Sequence, residues 1–303
     1  SLRRKCARTM LRAGIAVAKK SRTALVTPKM ELARHVAHRV QTAATDRIAN
    51  LRIRAQIARM NRFNPEQPVF SVVIPIYNRT WELELAIESI LKQDFRNFEL
   101  LLICDGSPQE TLDIVDRYQA HPQVRIHKYP DNSGNACRGR NTGIQMARGT
   151  YVAFMDSDDI STPHRLSTSL FHFIKQRADM VYGSVTIISD GSRQIEGIWD
   201  GQFRKSFALP IQEMEEINPV WTSTVAVRRE VLQRYGGFRV AMRYREDHEL
   251  WLRLAYNGCK LYPAEEMFAY YRFHAQNAEL IFKDNDDHWK RLMHELYKTA
   301  YEG

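Results

Sequence analysis

Tyr151–Asp159, YVAFMDSDD, is the segment around which the rest of the chain is organised. Its first half, Tyr151 to Met155, is aromatic, β-branched and uncharged, the composition of a strand buried on both faces. The carboxylates of Asp156, Asp158 and Asp159 follow at once. Like charges at the end of a buried strand repel one another and each loses hydration, so they stay ionised only beside a cation or strong donors. A hard divalent ion, Mg²⁺ or Mn²⁺, suits such an oxygen cluster and would bring a phosphorylated ligand with it. The plainer alternative is a solvated acidic turn ahead of a helix that begins after Pro163.

Upstream of this strand the chain alternates strand and helix. Val69–Pro75 (VFSVVIP) and Phe98–Cys104 (FELLLIC) read as further buried strands, and Val124–Tyr129 as a third strand. Between them, Trp81 to Asp94 places Leu83, Ile87, Ile90 and Leu91 on one helical face, and Pro108 opens a helix through Leu112, Val115 and Tyr118. A short helix over Arg140–Ala147 precedes Tyr151. Strand–helix alternation with short turns implies right-handed crossovers and a parallel sheet, with ligands beyond the carboxyl ends of the strands. Those ends carry Tyr77-Asn78-Arg79, Asp105-Gly106-Ser107, Asp131 to Gly139 and Asp156 to Asp159. Any one of these is a good turn; the whole set is expected to face one crevice. Further on, Asp179–Ser189 reads as another strand, and Trp199, Phe203, Phe207 and Trp221 are aromatics that could serve sugar faces or the core.

The chain has 303 residues, 44% of them hydrophobic, and a net charge of +9 that is unevenly spread. Residues 1–64 hold sixteen Lys/Arg against Glu31 and Asp46, whereas the remainder holds 28 basic and 33 acidic side chains. The body is therefore mildly acidic, which does not suit nucleic acid. The basic segment reads as two helical stretches, Leu2–Lys20 and Lys29–Arg62, meeting near Pro28. Such an arm could lie on an anionic membrane surface, pack against the body or self-associate, or serve as an import sequence. Asn64 to Pro68, with two prolines, is a linker. The four cysteines are scattered without a disulfide or zinc pattern, consistent with a reducing, cytoplasmic setting, and no apolar run approaches membrane-spanning length.

With these motifs in hand, the chain resembles the inverting nucleotide-sugar glycosyltransferases of family 2, which have the GT-A fold. The resemblance covers about residues 69–275. It rests on SVVIPIYNR at 71–79, CDGS at 104–107, NSGNACRGRNTGI at 132–144, ARGTYVAFMDSDD at 147–159, REDHELWLRLAYNG at 245–258 and YYRFH at 270–274. It implies an α/β fold with a Rossmann-like, mostly parallel central sheet flanked by helices, over residues 65–275. A helical extension (1–64) would precede it, and a C-terminal helix (276–303) would pack on the body or on the arm.

The resemblance also implies roles. Pro75, Tyr77, Asn78, Arg79, Asp105, Arg140 and Asp156 would form the nucleotide site, with Tyr77 stacking on the base and Asp105 accepting a base N–H. The family usually carries two acids before Gly-Ser, where this chain has Cys104 and then Asp105. Arg140 and Asn141 match the stretch near base and ribose, with Arg138 an alternative to Arg140. Asp158, with His274, would hold Mn²⁺ or Mg²⁺, and Asp247 would be the catalytic base. Glu246 and Trp221 are candidates for the sugar or acceptor, and Arg272 for a carboxylate or a phosphate. The expected partners are a UDP-sugar donor and a glycan or lipid-linked acceptor, in surface polysaccharide or glycoconjugate synthesis. Two other classes stay open. A sugar-1-phosphate nucleotidyltransferase would want a Gly-rich, lysine-bearing loop where PIYNRTWEL stands. A non-catalytic binding subunit of the same fold would not need both Asp158 and Asp247.

Overall fold

The computed structural model describes residues 28–190, 202–275, 277, 281 and 286–301. The expected helix over Leu2–Lys20 and Trp199 lie outside the described residues. Two compact units divide at Arg54/Ala55. The first, as far as it is described, is the greater part of one helix, α1 (Pro28–Met60), whose residues 43–49 are exposed all round.

The second unit is an α/β layer structure. Its elements are β1 (Phe70–Ile76), α2 (Trp81–Leu91), β2 (Phe98–Asp105), α3 (Gln109–Asp116), β3 (Val124–Tyr129), α4 (Cys137–Met146), β4 (Tyr151–Phe154), β5 (Ile160–Ser161) and α5 (Arg165–Gln176). There follow β6 (Met180–Ser189), β7 (Gln202–Arg204), α6 (Ile211–Met214), a 3₁₀ turn (Thr222–Thr224), β8 (Ala226–Arg228), α7 (Arg229–Tyr235), α8 (Glu246–Tyr256), β9 (Leu261–Phe273) and α9 (Asp286–Tyr301). One sheet runs β3-β2-β1-β4-β8-β6-β9-β5, with β7 paired to β6. The first four strands are mutually parallel, as the alternation predicts. Beyond β4 the sheet becomes mixed: β8 is antiparallel to both β4 and β6, and β6 and β9 run parallel.

Alternation along β1 and β2 divides the core between the two faces of the sheet. Phe70, Val72, Ile74, Leu100, Leu102 and Cys104 pack on one face with Leu83, Ile87, Ile90 and Val115 of α2 and α3. Val73, Leu101 and Ile103 pack on the other with Ile144 of α4 and Leu250, Trp251 and Leu254 of α8. This explains Cys104: it points into the core, away from the loop that Asp105 enters, and burial pushes its thiol up to about 11. The departure at residue 104 therefore falls on the core face.

Strand order reverses between β1 and β4, which opens a crevice at their carboxyl ends. Two features fix its walls. Phe154 of β4 meets Phe238 edge-on at 5.1 Å, and both rings meet Trp251, so α8 is seated on the sheet beside the end of β4. The C-terminal helix packs on the body: Met293 is buried with Trp289 and Leu292 against the α8 face, and Asp286 accepts two hydrogen bonds from Arg245. Among the described residues no helix is long and apolar enough to cross a membrane.

Candidate active site

A cavity of about 410 Å³ lies at the carboxyl ends of β1, β2 and β4. Pro75, Tyr77, Arg79, Asp105, Arg140, Asp156, Asp158, Glu246 and His274, all singled out in the sequence, line it together. Residues up to 199 positions apart in the chain thus meet, because the parallel crossovers return every strand end to one side.

At the carboxyl end of β1, Tyr77 is 52% exposed and presents an open aromatic face. Asp105 is buried and already engaged: Oδ2 accepts from Ser133 N (3.1 Å) and Ser133 Oγ (2.7 Å), and Oδ1 from Arg138 Nε (2.5 Å). A carboxylate offers about four lone-pair sites, so Oδ1 retains one for a ligand N–H. Gly106 makes this loop arrangement feasible. It sits at φ +66°, and a Cβ there would lie 2.3 Å from Asn132 N.

The two arginines of the RGR stretch have different partners. Arg138 ties Asp105 to Asp131 and lies over the Tyr129 ring. Arg140 is buried, with Nη2 2.8 Å from Asp156 Oδ1 and Nη1 2.8 Å from Glu246 Oε1. Burial alone would lower its pKa, but the two carboxylates reverse that and hold it above the ordinary value. Asn141, expected near the ribose, uses both ends of its amide on the backbone of Phe238 (2.8 Å each) and anchors that loop.

The three acids of the MDSDD stretch separate by environment. Asp156 meets Arg140, and its N–H donates to Ser223 Oγ at 3.0 Å. Asp158 Oδ2 lies 2.6 Å from Arg79 Nη2 and 3.0 Å from His274 Nε2. Burial pushes Asp158 up, yet the His274 hydrogen bond and the Arg79 charge outweigh it and hold the group below its ordinary range. Asp159 turns inward, 1% exposed, accepting from Arg272 N and Ser223 Oγ; burial and its two acidic neighbours push its pKa well up. Beneath them the fully buried Arg165 donates to the carbonyls of Phe154 and Val225. Arg272 serves the backbone: Nε meets the carbonyl of Asp158, its side chain lies over the Trp81 ring, and no phosphate role is needed to explain it. Among the described residues no three His, Cys, Asp or Glu gather into a metal-holding group.

Asp247, Asn78 and Trp221 stand apart from the cavity lining. Asn78 is exposed at φ +46° and makes the turn after β1. Trp221 opens the 3₁₀ turn. Asp247 follows Glu246 on the first turn of α8, where successive side chains diverge by about 100°. With Glu246 on the cavity, Asp247 is carried toward the connection before β8. There its Oδ2 accepts from Thr222 Oγ1 (2.9 Å) and Asn218 Nδ2 (3.2 Å). The sequence reading missed Asn218 and the roles of Thr222 and Ser223. It also did not assign Arg243, Tyr271 and Asn277, which are part of the lining. Tyr271 lies within YYRFH, and Thr222, Ser223, Arg243 and Asn277 lie within three residues of a singled-out residue or motif, so closeness in sequence was their available signal; Asn218 is likewise three residues before Trp221.

Comparison with known proteins accords with this fold. The crystal structure of S. aureus TarS 1-349 superposes with a TM-score of 0.53 at 22% identity, covering 67% of this chain and 60% of that one; the same protein is known with UDP and with UDP-GlcNAc. WfaP of Escherichia coli, a UDP-Glc:alpha-D-GlcNAc-diphosphoundecaprenol beta-1,3-glucosyltransferase, is 26% identical over 211 residues, 68% of this chain and 77% of WfaP. The chain spans 38% of the length of GlyG from Streptococcus pneumoniae, at 36% identity. It is 33% identical over 203 residues to the glycosyltransferase-family protein EpsE of Bacillus subtilis, 66% of this chain and 71% of EpsE. With the model of Glycosyl transferase family 2 matching residues 71–236 as well, the chain belongs to that family.

Proposed function

We propose that the protein transfers a sugar from a UDP-sugar to a hydroxyl of a glycan or lipid-linked acceptor, with inversion at the anomeric carbon, in polysaccharide synthesis. The observation that carries this is the bridge made by Arg140, which sets Asp156 of the donor side and Glu246 of the α8 side against one cavity. The nucleotide end holds an exposed aromatic ring, Tyr77, and a carboxylate with one open lone pair, Asp105, a pairing that suits uracil. The UDP bound by TarS and the UDP-glucose and diphosphate-linked lipid named for WfaP support the same classes of donor and acceptor.

The chain's own groups divide the chemistry. Asp247 takes the proton of the acceptor hydroxyl as that oxygen attacks the anomeric carbon. The bond to the donor's phosphate oxygen breaks, and its electron pair leaves with the nucleoside diphosphate. A single displacement inverts the configuration, whereas a glycosidase would place two carboxylates about the bond. Asp158 Oδ2 and His274 Nε2, 3.0 Å apart, form a two-donor set. The Asp158 carboxylate suits Mn²⁺ or Mg²⁺ arriving with a diphosphate, because Mg²⁺ is usually bound by one or two carboxylates plus substrate phosphates, and His274 would join it as a second ligand. The cation would supply Lewis-acid stabilisation of the leaving group. Positioning of both partners is the remaining contribution.

Donor hydrolysis across a panel of nucleotide sugars, with and without Mn²⁺, tests the proposal. UDP-sugars turned over only with metal is the expected result. Turnover of another nucleotide's sugars, or turnover unaffected by chelation, would refute the corresponding part.

A further inference from the structure

The turn Trp221–Val225 holds two adjacent side chains that reach opposite parts of the site. Thr222 Oγ1 donates to Asp247 Oδ2 at 2.9 Å. Ser223 Oγ donates to Asp159 Oδ2 and accepts from Asp156 N at 3.0 Å. The turn is rigid: Thr224 N and Oγ1 both donate to Trp221 O, and Val225 N donates to Thr222 O. It is also tied to the sheet, since the Val225 carbonyl accepts from Phe154 N and from buried Arg165. Thr222, Ser223 and Thr224 are all buried. A second donor joins Thr222 on Asp247. Asn218 Nδ2 stands 3.2 Å from Oδ2, its amide oriented by Val220 N bonding to Oδ1.

Asp247 Oδ1 receives His248 N at 2.7 Å, and Oδ2 receives the two side-chain donors. Of about four lone-pair sites, one on Oδ1 remains to take a proton. We propose that Asn218 and Thr222 are positioning residues, fixing the Asp247 carboxylate as the base with Oδ1 as its working oxygen, while Ser223 keeps the 156–159 segment in step with it. This rests on Asp247 being the base. In the transfer step the acceptor hydroxyl's proton moves to Oδ1, its oxygen bonds to the anomeric carbon, and the nucleoside diphosphate departs with the old bond's electron pair. Both donors favour the ionised, accepting carboxylate over the protonated one.

The charged and titratable groups facing Asp247 are Glu246 and His248 on α8 and Arg140 and Cys137 from α4. Burial holds His248 low and pushes the Cys137 thiol up to about 12, so both are neutral near pH 7. The 218–222 side contributes neutral donors alone, so removing one changes no charge.

Thr222→Val, Thr222→Ser and Asn218→Leu test this, with kcat measured against pH, KM for the donor, and UDP affinity by calorimetry with Mn²⁺. Thr222→Val is expected to lower kcat about 10-fold and to move the acid limb of its pH profile up by about one unit, the size of a hydrogen bond to a charged group. UDP affinity and donor KM should stay within about twofold, since the donor side is untouched. Thr222→Ser should restore the profile, and Asn218→Leu should move it the same way. If Thr222→Val folds poorly, Asn218→Leu decides the matter. A kcat loss with an unmoved profile, or Thr222→Ser as impaired as Thr222→Val, would overturn the positioning role. Full turnover by Asp247→Asn would instead overturn the base assignment beneath it.

Discussion

Arg140 and Glu246, 106 residues apart, meet at 2.8 Å, and the same guanidinium holds Asp156 at 2.8 Å. One buried cation thus joins the strand-end acids to the helix that carries Asp247. Removing it leaves two half-buried carboxylates facing each other, and breaking a buried pair costs about 3–5 kcal/mol when the remaining charge is uncompensated. Arg140→Met should therefore lower the urea midpoint and weaken UDP binding. Arg140→Lys keeps the charge but lacks the fork that reaches both acids, and should fall between the two. Unchanged midpoints in both variants would show that the bridge contributes nothing.

Asp247 and Glu246 are neighbours with different surroundings. Burial and the nearby Asp247 push Glu246 upward against the pull of Arg140, and Glu246 lines the cavity. Asp247→Asn should reduce kcat by about 10²–10⁴, the span of general-base catalysis, while UDP affinity is kept. Glu246→Gln should act mainly on KM or stability. The opposite split would move the base to Glu246.

Asp158 makes acid stability predictable in sign. Its folded-state pKa lies below the usual 3.8, so the folded chain binds that proton more weakly than the unfolded one. The resulting stabilisation is complete above about pH 5 and disappears as the pH falls through the depressed value. Thermal melts followed by circular dichroism should therefore show a gap between the wild-type protein and Asp158→Asn that is constant at neutral pH and closes below about pH 4. A gap equal at pH 7 and at about pH 3 would contradict this.

Gly143 sets the distance between α4 and β1. A Cβ there would lie 2.2 Å from Val73 Cγ1 and 2.6 Å from Cγ2. Overpacking of this kind costs about 1–3 kcal/mol, so Gly143→Ala should lower stability by that amount. Adding Val73→Ala removes the clashing methyls, and the double variant should lose less than the sum of the singles in urea unfolding. Simple additivity would mean that the helix shifts without strain.

Much of this protein was legible in the residue order. Buried strands such as Phe98–Asp105 announce themselves by composition and by breaks at polar, glycine-bearing turns, and those turns mark the strand ends that line the cavity. Periodicity is a local property, so it survives reading along a line. The division of labour among like residues does not. Asp158 and Asp159 are adjacent, yet one faces Arg79 and the other Ser223 and Arg272; Arg138 and Arg140 differ by two positions and serve different acids. The mixed half of the sheet, and the seat of Thr222 beside Asp247, likewise depended on which segments fold back on which. Residue order determined the strands, the turns and the acids available. The tertiary structure alone decided which donor each acid meets, because a hydrogen bond is won within about 3 Å in space, by contestants whose separation along the chain carries no record of it.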